Sequence, residues 1–138
     1  MPLPTVEHET APNPTHSVIW LHGLGADGND FAPIVPELAA ADGPALRFVF
    51  PHAPVRPVTV NGGAPMRAWY DIYSFGSLDQ QDETGIRASI GEVEALIARE
   101  NERGVPTSRI VLAGFSQGGA IALAAGLRHA QALAGILA

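Results

Sequence analysis

The 138-residue chain contains no cysteine, and all eight of its cationic residues are arginine, so lysine is missing as well. Without cysteine the chain can form no disulfide, no thiolate metal site and no cysteine nucleophile. Its net charge is −6 and it has no basic run, which argues against a nucleic-acid partner because such proteins place cationic side chains along phosphates. No apolar run approaches the roughly 20 residues of a transmembrane helix, so we predict no stable membrane insertion.

Hydrophobic residues make up 46% of the chain and charged residues only 16%, a balance typical of a folded globular protein. The length suits one domain with a real core, and we predict that residues 1–138 form a single domain. The first nine residues have neither the basic nor the apolar region of a signal peptide, so we expect a cytoplasmic protein.

Apolar periodicity predicts strands that alternate with helices. The predicted strands are mostly apolar, as expected of strands buried on both faces, and span residues 17–21, 46–50, 110–113 and 133–138. The predicted helices begin after Asn29 or Asp30 with an apolar face from Phe31 to Leu38, span about 81–103, and run from 117 to about 128. This alternation predicts an α/β fold with a mainly parallel sheet and helices on both faces.

Proline and glycine mark the irregular parts of the chain. Pro33 and Pro36 fit the first predicted helix only near its first turn, where few backbone N–H groups are bonded. Residues 51–68 hold four prolines and an Asn-Gly pair at 61–62, which predict a surface excursion with a small hairpin. Residues 1–15 are either an exposed lead-in or a short edge strand.

The segment Gly114-Phe115-Ser116-Gln117-Gly118 fits the pattern G-x-S-x-G between a predicted strand and a predicted helix. A nucleophilic serine must project from a very tight turn, so the flanking positions cannot carry side chains that collide with the backbone. We therefore predict that Ser116 is a catalytic nucleophile. The backbone N–H of Gln117, at the start of the new helix, is the natural first oxyanion donor. The alternative is a glycine-rich helix start that Ser116 merely caps.

A second glycine-rich loop, Gly23 to Gly28, matches G-x-G-x-x-G after a predicted strand. As a dinucleotide-binding turn it would need an acidic residue near the end of the next strand, but Phe50 is followed by Pro51 and His52. As an oxyanion loop it would supply a second N–H donor beside the nucleophile, and Leu24 is the best candidate. A plain connector is the third interpretation.

Four segments of the chain resemble one known family, and they occur in the family's order. They are Leu21-His22-Gly23-Leu24-Gly25-Ala26-Asp27-Gly28, Phe50-Pro51-His52-Ala53-Pro54, Met66-Arg67-Ala68-Trp69-Tyr70-Asp71 and Gly114-Phe115-Ser116-Gln117-Gly118-Gly119-Ala120. These segments are similar to those of the carboxylesterase/phospholipase family of the α/β-hydrolase superfamily, which includes acyl-protein thioesterases and lysophospholipases. The resemblance covers nearly all of residues 16–138.

The resemblance implies an α/β-hydrolase fold, no cofactor, and hydrolysis of carboxylic esters or thioesters of small-molecule or acyl substrates. It implies Ser116 as nucleophile and the backbone N–H groups of Leu24 and Gln117 as oxyanion donors. The substrate-binding residues that it implies are Gly23, Leu24, Trp69 and Phe115, with the loop near Trp69 beside the acyl-binding groove. Aromatic residues in such a loop can equally pack it onto the core, so this alternative for Trp69 stays open.

The chain departs from the family in one respect. The family's triad runs Ser, Asp, His, and the Asp and His lie well downstream of the nucleophile helix, whereas this sequence ends one strand after that helix. We therefore expect residues 1–138 to be the N-terminal portion of a hydrolase fold, truncated after that strand. Because the base and its orienting acid would be missing, we expect the isolated chain to be a poor catalyst.

None of the five histidines has the spacing of a replacement base. His22 lies near the oxyanion loop, where we expect it to hold loop backbone by a hydrogen bond. His129 lies about three helical turns past Ser116, ~20 Å away at 1.5 Å per residue. His52 ends a neighbouring strand at the correct edge, but in the family this position belongs to a loop turn. The scattered His and Asp also show no metal-ligand spacing, so we predict no metal site.

Two other function classes remain open at this point. One is a dinucleotide-binding oxidoreductase that uses the loop from Gly23 to Gly28. The other is a non-catalytic module, for which a homodimer is possible because an apolar strand at the end of the chain would leave an unpaired sheet edge.

Overall fold

The computed structural model describes residues 2–40, 42–74 and 81–138. Within these ranges the strands are β1 (Thr5–Glu9), β2 (His16–Leu21), β3 (Leu46–Pro51), β4 (Val55–Val58), β5 (Ala64–Arg67), β6 (Ile110–Gly114) and β7 (Gly135–Leu137). The α-helices are α1 (Val35–Leu38), α2 (Glu83–Glu102) and α3 (Gln117–Arg128). Strands and helices alternate along most of the chain, as the periodicity predicts.

Five of the strands form one sheet in the order β1-β3-β2-β6-β7. β1 is antiparallel to β3, with Val6 opposite Phe50, and every other neighbouring pair in this sheet is parallel. The predicted mainly parallel sheet is therefore confirmed, and the N-terminal segment contributes an edge strand to it. β4 and β5 form a separate hairpin whose turn passes through Gly62 at a φ of 68°, so the predicted small hairpin is also present.

The two faces of the sheet are covered unequally. On one face, Ile19 and Leu21 of β2 are fully buried in the larger apolar cluster, which includes side chains of α2 and α3. On the other face, Val18 and Trp20 are only partly buried and pack in a smaller cluster with Phe31. The prediction that this strand is buried on both faces is therefore wrong for the second face, which in the described residues is covered only by a short segment.

The predicted helix with an apolar face from Phe31 to Leu38 is wrong in its length. Residues 32–34 form a single 3₁₀ turn, and α1 follows with only four residues, each element carrying a proline in its first turn. Pro33 and Pro36 lack a backbone N–H, so they fit the first positions of a helical turn but cannot extend an i→i−4 ladder. Two prolines three residues apart therefore allow two short turns instead of one regular helix from Phe31 to Leu38.

α2 is the longest helix, and the prediction of a helix over about 81–103 is confirmed to within two residues. Asp82 caps its start by accepting a 3.0 Å hydrogen bond from the backbone N–H of Gly85. Gly104 ends it in the left-handed region at a φ of 94°, where a residue with a Cβ would be strained. Its buried face packs on β2, β3 and β6 in the larger cluster.

A buried ion network ties α2 to three strands. Glu100 is 0% exposed, and its carboxylate accepts hydrogen bonds from the Ser17 hydroxyl at 2.6 Å, Arg47 at 2.8 Å and Arg103 at 3.0 Å. Two guanidinium groups and a hydroxyl thus compensate the buried charge, which would otherwise be very costly. Glu7 of β1 also pairs with Arg103 at 2.9 Å, so the edge strand is tied to the same helix.

The start of α3 lies in direct contact with the end of β2. A Cβ at Gly118 would overlap the carbonyl oxygen of Leu21, and a Cβ at Gly114 would overlap that of Gly118. Only glycine at both positions lets the helix backbone approach the strand backbone this closely. This contact positions Ser116, which lies between the two glycines, at the carboxyl-terminal edge of the sheet.

We expect Glu100→Gln to lower the free energy of unfolding by about 2–4 kcal/mol, because Arg47 and Arg103 would lose the negative charge that compensates their own. Glu102→Gln, at an exposed position of the same helix, is the matched control and should change stability by less than about 0.5 kcal/mol. Urea unfolding of the purified proteins at neutral pH measures both values. Equal urea midpoints for the two variants would show that the network contributes no net stability.

We expect Gly118→Ala to destabilise the fold by about 2 kcal/mol or more, because the new methyl group would overlap backbone atoms that cannot move aside. Gly91→Ala is the matched control, since a Cβ at this exposed position of α2 meets nothing within 4 Å. It should stabilise the protein by about 0.5–1 kcal/mol through the lower entropy of the unfolded chain. Thermal and urea unfolding would contradict the close contact if both variants moved stability in the same direction.

Candidate active site

Ser116 sits at a sharp turn between β6 and α3. Its backbone has a φ of 56° and a ψ of −119°, a conformation that costs a non-glycine residue of order 1–3 kcal/mol. Its side chain is exposed and makes no capping hydrogen bond to α3, so the helix-cap alternative does not describe this serine. The strained turn presents the hydroxyl to solvent at the start of a helix, where the dipole is positive.

The glycine-rich loop from Gly23 to Gly28 lies against this turn. The backbone N–H of Phe115 donates to the carbonyl of Leu21 at 3.1 Å. A Cβ placed on Gly23 would come within 3.6 Å of the Cβ of Ser116 and 3.3 Å of the Phe115 ring. The structure therefore brings Gly23 against Phe115 and Ser116, although Gly23 precedes Phe115 by 92 positions in the sequence.

The backbone amides of Leu24 and Gln117 are the two predicted oxyanion donors. Gln117 is the first residue of α3, so its N–H has no partner within the helix. Neither amide donates to a backbone carbonyl elsewhere in residues 2–40, 42–74 and 81–138. The loop is held on both sides of Leu24, because Gly23 accepts a hydrogen bond from His22 and Gly25 donates one to Arg67 at 2.9 Å.

His22 is buried at 2% exposure and uses both ring nitrogens. Its Nε2 accepts from the backbone N–H of Ala53 at 3.0 Å, so the ring proton is on Nδ1, which donates to the carbonyl of Gly23 at 2.7 Å. Burial lowers the pKa of His22 because desolvation disfavours the imidazolium form. The histidine is therefore neutral and fully hydrogen-bonded, which fits the predicted role of holding loop backbone and leaves no nitrogen to act as a base.

Trp69 is completely buried against His22. Its indole N–H donates to the carbonyl of His22 at 2.8 Å, and the two ring centroids lie 5.2 Å apart. The carbonyl of Trp69 also accepts a hydrogen bond from the hydroxyl of Ser89 in α2. In this structure Trp69 offers no surface to solvent and packs its loop onto the core. This is the packing interpretation of Trp69, the alternative to substrate contact.

The side chain of Gln117 has a role that the sequence reasoning missed. It is buried beneath the turn, where Oε1 accepts from the backbone N–H of Trp69 at 2.7 Å and Nε2 donates to the carbonyl of Tyr70 at 2.8 Å. An amide can donate and accept at once, so one side chain satisfies a backbone donor and a backbone acceptor. The only signal in the sequence was an amide inside the G-x-S-x-G pattern, because the partners lie 47 and 48 residues away.

Phe115 is the exposed member of an aromatic row beside the serine. Its side chain is 58% exposed, and its ring centroid lies 5.6 Å from that of Phe31. Phe31 in turn stacks on Trp20 at 5.1 Å. This row, Phe115, Phe31 and Trp20, forms an apolar surface that leads from the turn onto the second face of the sheet.

The remaining histidines lie away from the serine or are engaged elsewhere. His52 accepts a hydrogen bond from the backbone N–H of Gly28 at 3.0 Å through Nδ1, so it holds the far end of the glycine-rich loop. His8 lies on β1, His16 begins β2 and His129 follows the last residue of α3. In the described ranges no group of three acidic or histidine side chains is arranged to hold a metal ion. None of the helices in those ranges combines the length and hydropathy of a membrane-spanning segment.

The sequence profile of the phospholipase/carboxylesterase family matches residues 3–138. Acyl-protein thioesterase 1 of Schizosaccharomyces pombe is 42% identical over 134 residues, covering 97% of this chain and 56% of that protein. Acyl-protein thioesterase 1 of Yarrowia lipolytica is 41% identical over 138 residues, covering 99% of this chain and 61% of that protein. The chain thus spans a little over half the length of the curated relatives it matches.

Solved structures agree with these sequence matches. Arabidopsis thaliana SOBER1 superposes with a TM-score of 0.79 at 34% identity, covering 88% of this chain and 59% of that one. Zea mays acyl-protein thioesterase 2 superposes with a TM-score of 0.71 at 32% identity, covering 88% of this chain and 50% of that one. The predicted α/β-hydrolase fold is confirmed, and the chain belongs to the phospholipase/carboxylesterase family.

Proposed function

We propose that this chain carries the nucleophile and the oxyanion donors of a serine hydrolase that cleaves carboxylic esters or thioesters. The observation that carries the proposal is the strained, exposed Ser116 at the start of α3, in contact with the loop at Gly23. An enzyme maintains a strained residue at such a turn when the strain is part of the function. The family of the chain and the names of its relatives point to the same chemistry.

In the proposed reaction the hydroxyl oxygen of Ser116 attacks the carbonyl carbon of the substrate and forms a tetrahedral intermediate. The backbone N–H groups of Leu24 and Gln117 donate to the oxygen that becomes negative, and the positive end of α3 adds to their effect. A general base takes the serine proton and returns it to the leaving group, so the alcohol or thiol departs as the acyl-enzyme forms. Water then hydrolyses that ester in a second step. Removing one oxyanion donor typically costs 10²–10³-fold in rate. The loop that carries Leu24 and the turn that carries Gln117 would therefore each contribute to the turnover.

The general base and its orienting acid are proposed to lie outside residues 1–138. His22 uses both of its nitrogens in structural hydrogen bonds, and His52 uses Nδ1 to hold Gly28. The matched relatives are considerably longer than this chain. Without a base, binding and the oxyanion donors alone leave on the order of 10³–10⁴-fold acceleration over water.

The proposed substrate has an apolar acyl group. Phe115 is exposed beside Ser116 and continues through Phe31 to Trp20, so an acyl chain can lie on this row while its carbonyl faces the oxyanion donors. The relatives from Schizosaccharomyces pombe and Yarrowia lipolytica are named acyl-protein thioesterases, which favours an acyl thioester among the carbonyl substrates. A cytoplasmic location and a homodimer stay predictions.

The dinucleotide alternative for the loop from Gly23 to Gly28 gains no support from the described residues. A pyrophosphate needs a helix N-terminus directly after the loop, but the first α-helix here begins only at Val35 and has four residues. The strand after the loop ends at Pro51, and no carboxylate follows it that could hold a ribose.

We expect a fluorophosphonate probe to label the full-length gene product that contains this chain, and Ser116→Ala to abolish that labelling. Ser108→Ala, at an exposed position of the turn before β6, is the matched control and should label like the wild type. Intact-mass spectrometry after the reaction identifies one added phosphonyl group. Labelling of Ser116→Ala at the wild-type rate would show that another residue is the nucleophile.

We expect residues 1–138 alone to hydrolyse a p-nitrophenyl ester at least about 10³-fold more slowly than the full-length gene product, because no base is present to accept the serine proton. Both proteins are assayed under the same conditions, each with its Ser116→Ala variant as the blank. If the isolated chain turned over at the rate of the full-length product in a Ser116-dependent way, the base would have to lie within residues 1–138.

A further inference from the structure

We propose that His22 is a positioning residue for the oxyanion donor at Leu24 and that the side chain of Gln117 supports it through Trp69. This inference rests on the proposed function, because it assigns a role to residues that hold a proposed catalytic donor. The hydrogen bonds of three buried side chains connect the two donors into one unit. His22, Trp69 and Gln117 have at most 4% exposure, so water does not compete for these bonds.

The geometry of the peptide bond makes the His22 contact specific. The carbonyl of Gly23 and the N–H of Leu24 belong to the same planar trans peptide group, so they point in opposite directions. The Nδ1 of His22 donates to that carbonyl at 2.7 Å and thereby fixes the rotation of the whole plane. The direction of the Leu24 N–H is then also fixed before any substrate binds.

Two backbone hydrogen bonds also hold the loop. The backbone N–H of Ala26 donates to the carbonyl of Gly23, at a longer distance of 3.2 Å than the bond from His22. The N–H of Gly25 donates to the carbonyl of Arg67 at 2.9 Å, but Gly25 N–H belongs to the next peptide plane along the chain. The two planes meet at the Cα of Leu24, where the chain can rotate, so a hydrogen bond to the second plane does not by itself fix the rotation of the first. Among the described residues, His22 makes the only side-chain hydrogen bond to the plane that carries the Leu24 N–H.

His22 can act in this way only because its tautomer and orientation are fixed. The backbone N–H of Ala53 donates to Nε2, so the proton must be on Nδ1. Ala53 is in turn held by Arg67, whose guanidinium donates to the Ala53 carbonyl at 2.7 Å. The ring of Trp69 packs on the imidazole, and the Trp69 indole N–H holds the carbonyl of the same histidine.

Gln117 completes the connection between the two donors. Its backbone N–H is one proposed donor, while its side chain binds the backbone of Trp69 and Tyr70. A shift of the loop that carries Trp69 would therefore break hydrogen bonds both at Gln117 and at His22. Buried polar groups are costly to leave unpaired, so the two donors move together or not at all.

The test compares His22→Asn with His22→Gln in the full-length gene product. The amide nitrogen of asparagine can occupy the position of Nδ1 and keep the bond to Gly23. The amide oxygen of the longer glutamine reaches the position of Nε2, so this variant keeps only the bond from the backbone N–H of Ala53. We expect a loss of kcat below about fivefold for His22→Asn and of about 10²-fold for His22→Gln, near the value of one lost donor. KM should change by less than about threefold in both, because substrate binding does not need the charged oxygen.

Thermal unfolding separates this role from a purely structural one. Each variant loses one buried hydrogen bond, so we expect similar decreases in Tm for both, while kcat separates them. Equal losses of kcat in the two variants, or losses confined to KM and Tm, would overturn the inference. Ser116→Ala separates a failure of this inference from a failure of the proposed function. Hydrolysis by that variant would overturn the proposed function itself.

A measurement on the wild-type protein keeps the inference testable if a variant fails to fold. The ¹⁵N chemical shifts of the His22 ring report which nitrogen carries the proton. We expect the neutral Nδ1–H tautomer at neutral pH, since the described contacts leave no place for a proton on Nε2. An Nε2–H tautomer would overturn the inference, because His22 would then not donate to the carbonyl of Gly23, which would keep only the backbone N–H of Ala26 at 3.2 Å.

Discussion

The candidate site depends on the backbone contact between the start of α3 and the end of β2. Hydrogen atoms alone at Gly114 and Gly118 allow this contact, since a Cβ at either position would overlap a carbonyl oxygen. The contact forces the intervening Ser116 into its strained conformation and presents its hydroxyl at the edge of the sheet. It also brings the loop at Gly23 against the same turn, so one steric condition places the proposed nucleophile beside a proposed donor.

The energy that holds this strained turn comes from the surrounding structure. The sheet is anchored through α2, where the buried Glu100 pairs with Arg47 of β3 and with Arg103 at the end of the same helix. At the carboxyl-terminal edge of the sheet, three buried side chains satisfy backbone groups of the loops that surround Ser116. They are His22, Trp69 and Gln117. Because these groups are shielded from water, their hydrogen bonds keep the loops in one arrangement. The family's longer members share this half of the fold.

The sequence predicted the parallel sheet, the long helix, the hairpin and the family correctly, because each depends on a local pattern. It overestimated the helix after Asp30. The apolar spacing predicted one helix to Leu38, whereas Pro33 and Pro36 interrupt its hydrogen-bond ladder and leave two short turns. It also treated β2 as buried on both faces, although periodicity does not reveal how much of a face the neighbouring segments cover. The roles of Ser116, Leu24 and Gln117 stay predictions of the motifs.

The sequence by itself determined the sharp turn at Ser116, because the strand, the two glycines, the serine and the helix are contiguous and their steric requirements are local. Only the tertiary structure decided what His22, Trp69 and the Gln117 side chain do. Their partners lie up to 48 residues away, and nothing in a linear pattern states which backbone groups a buried side chain will meet. The orientation of the Leu24 amide is therefore a property of the folded chain, set by hydrogen bonds that exist only once the loops are packed.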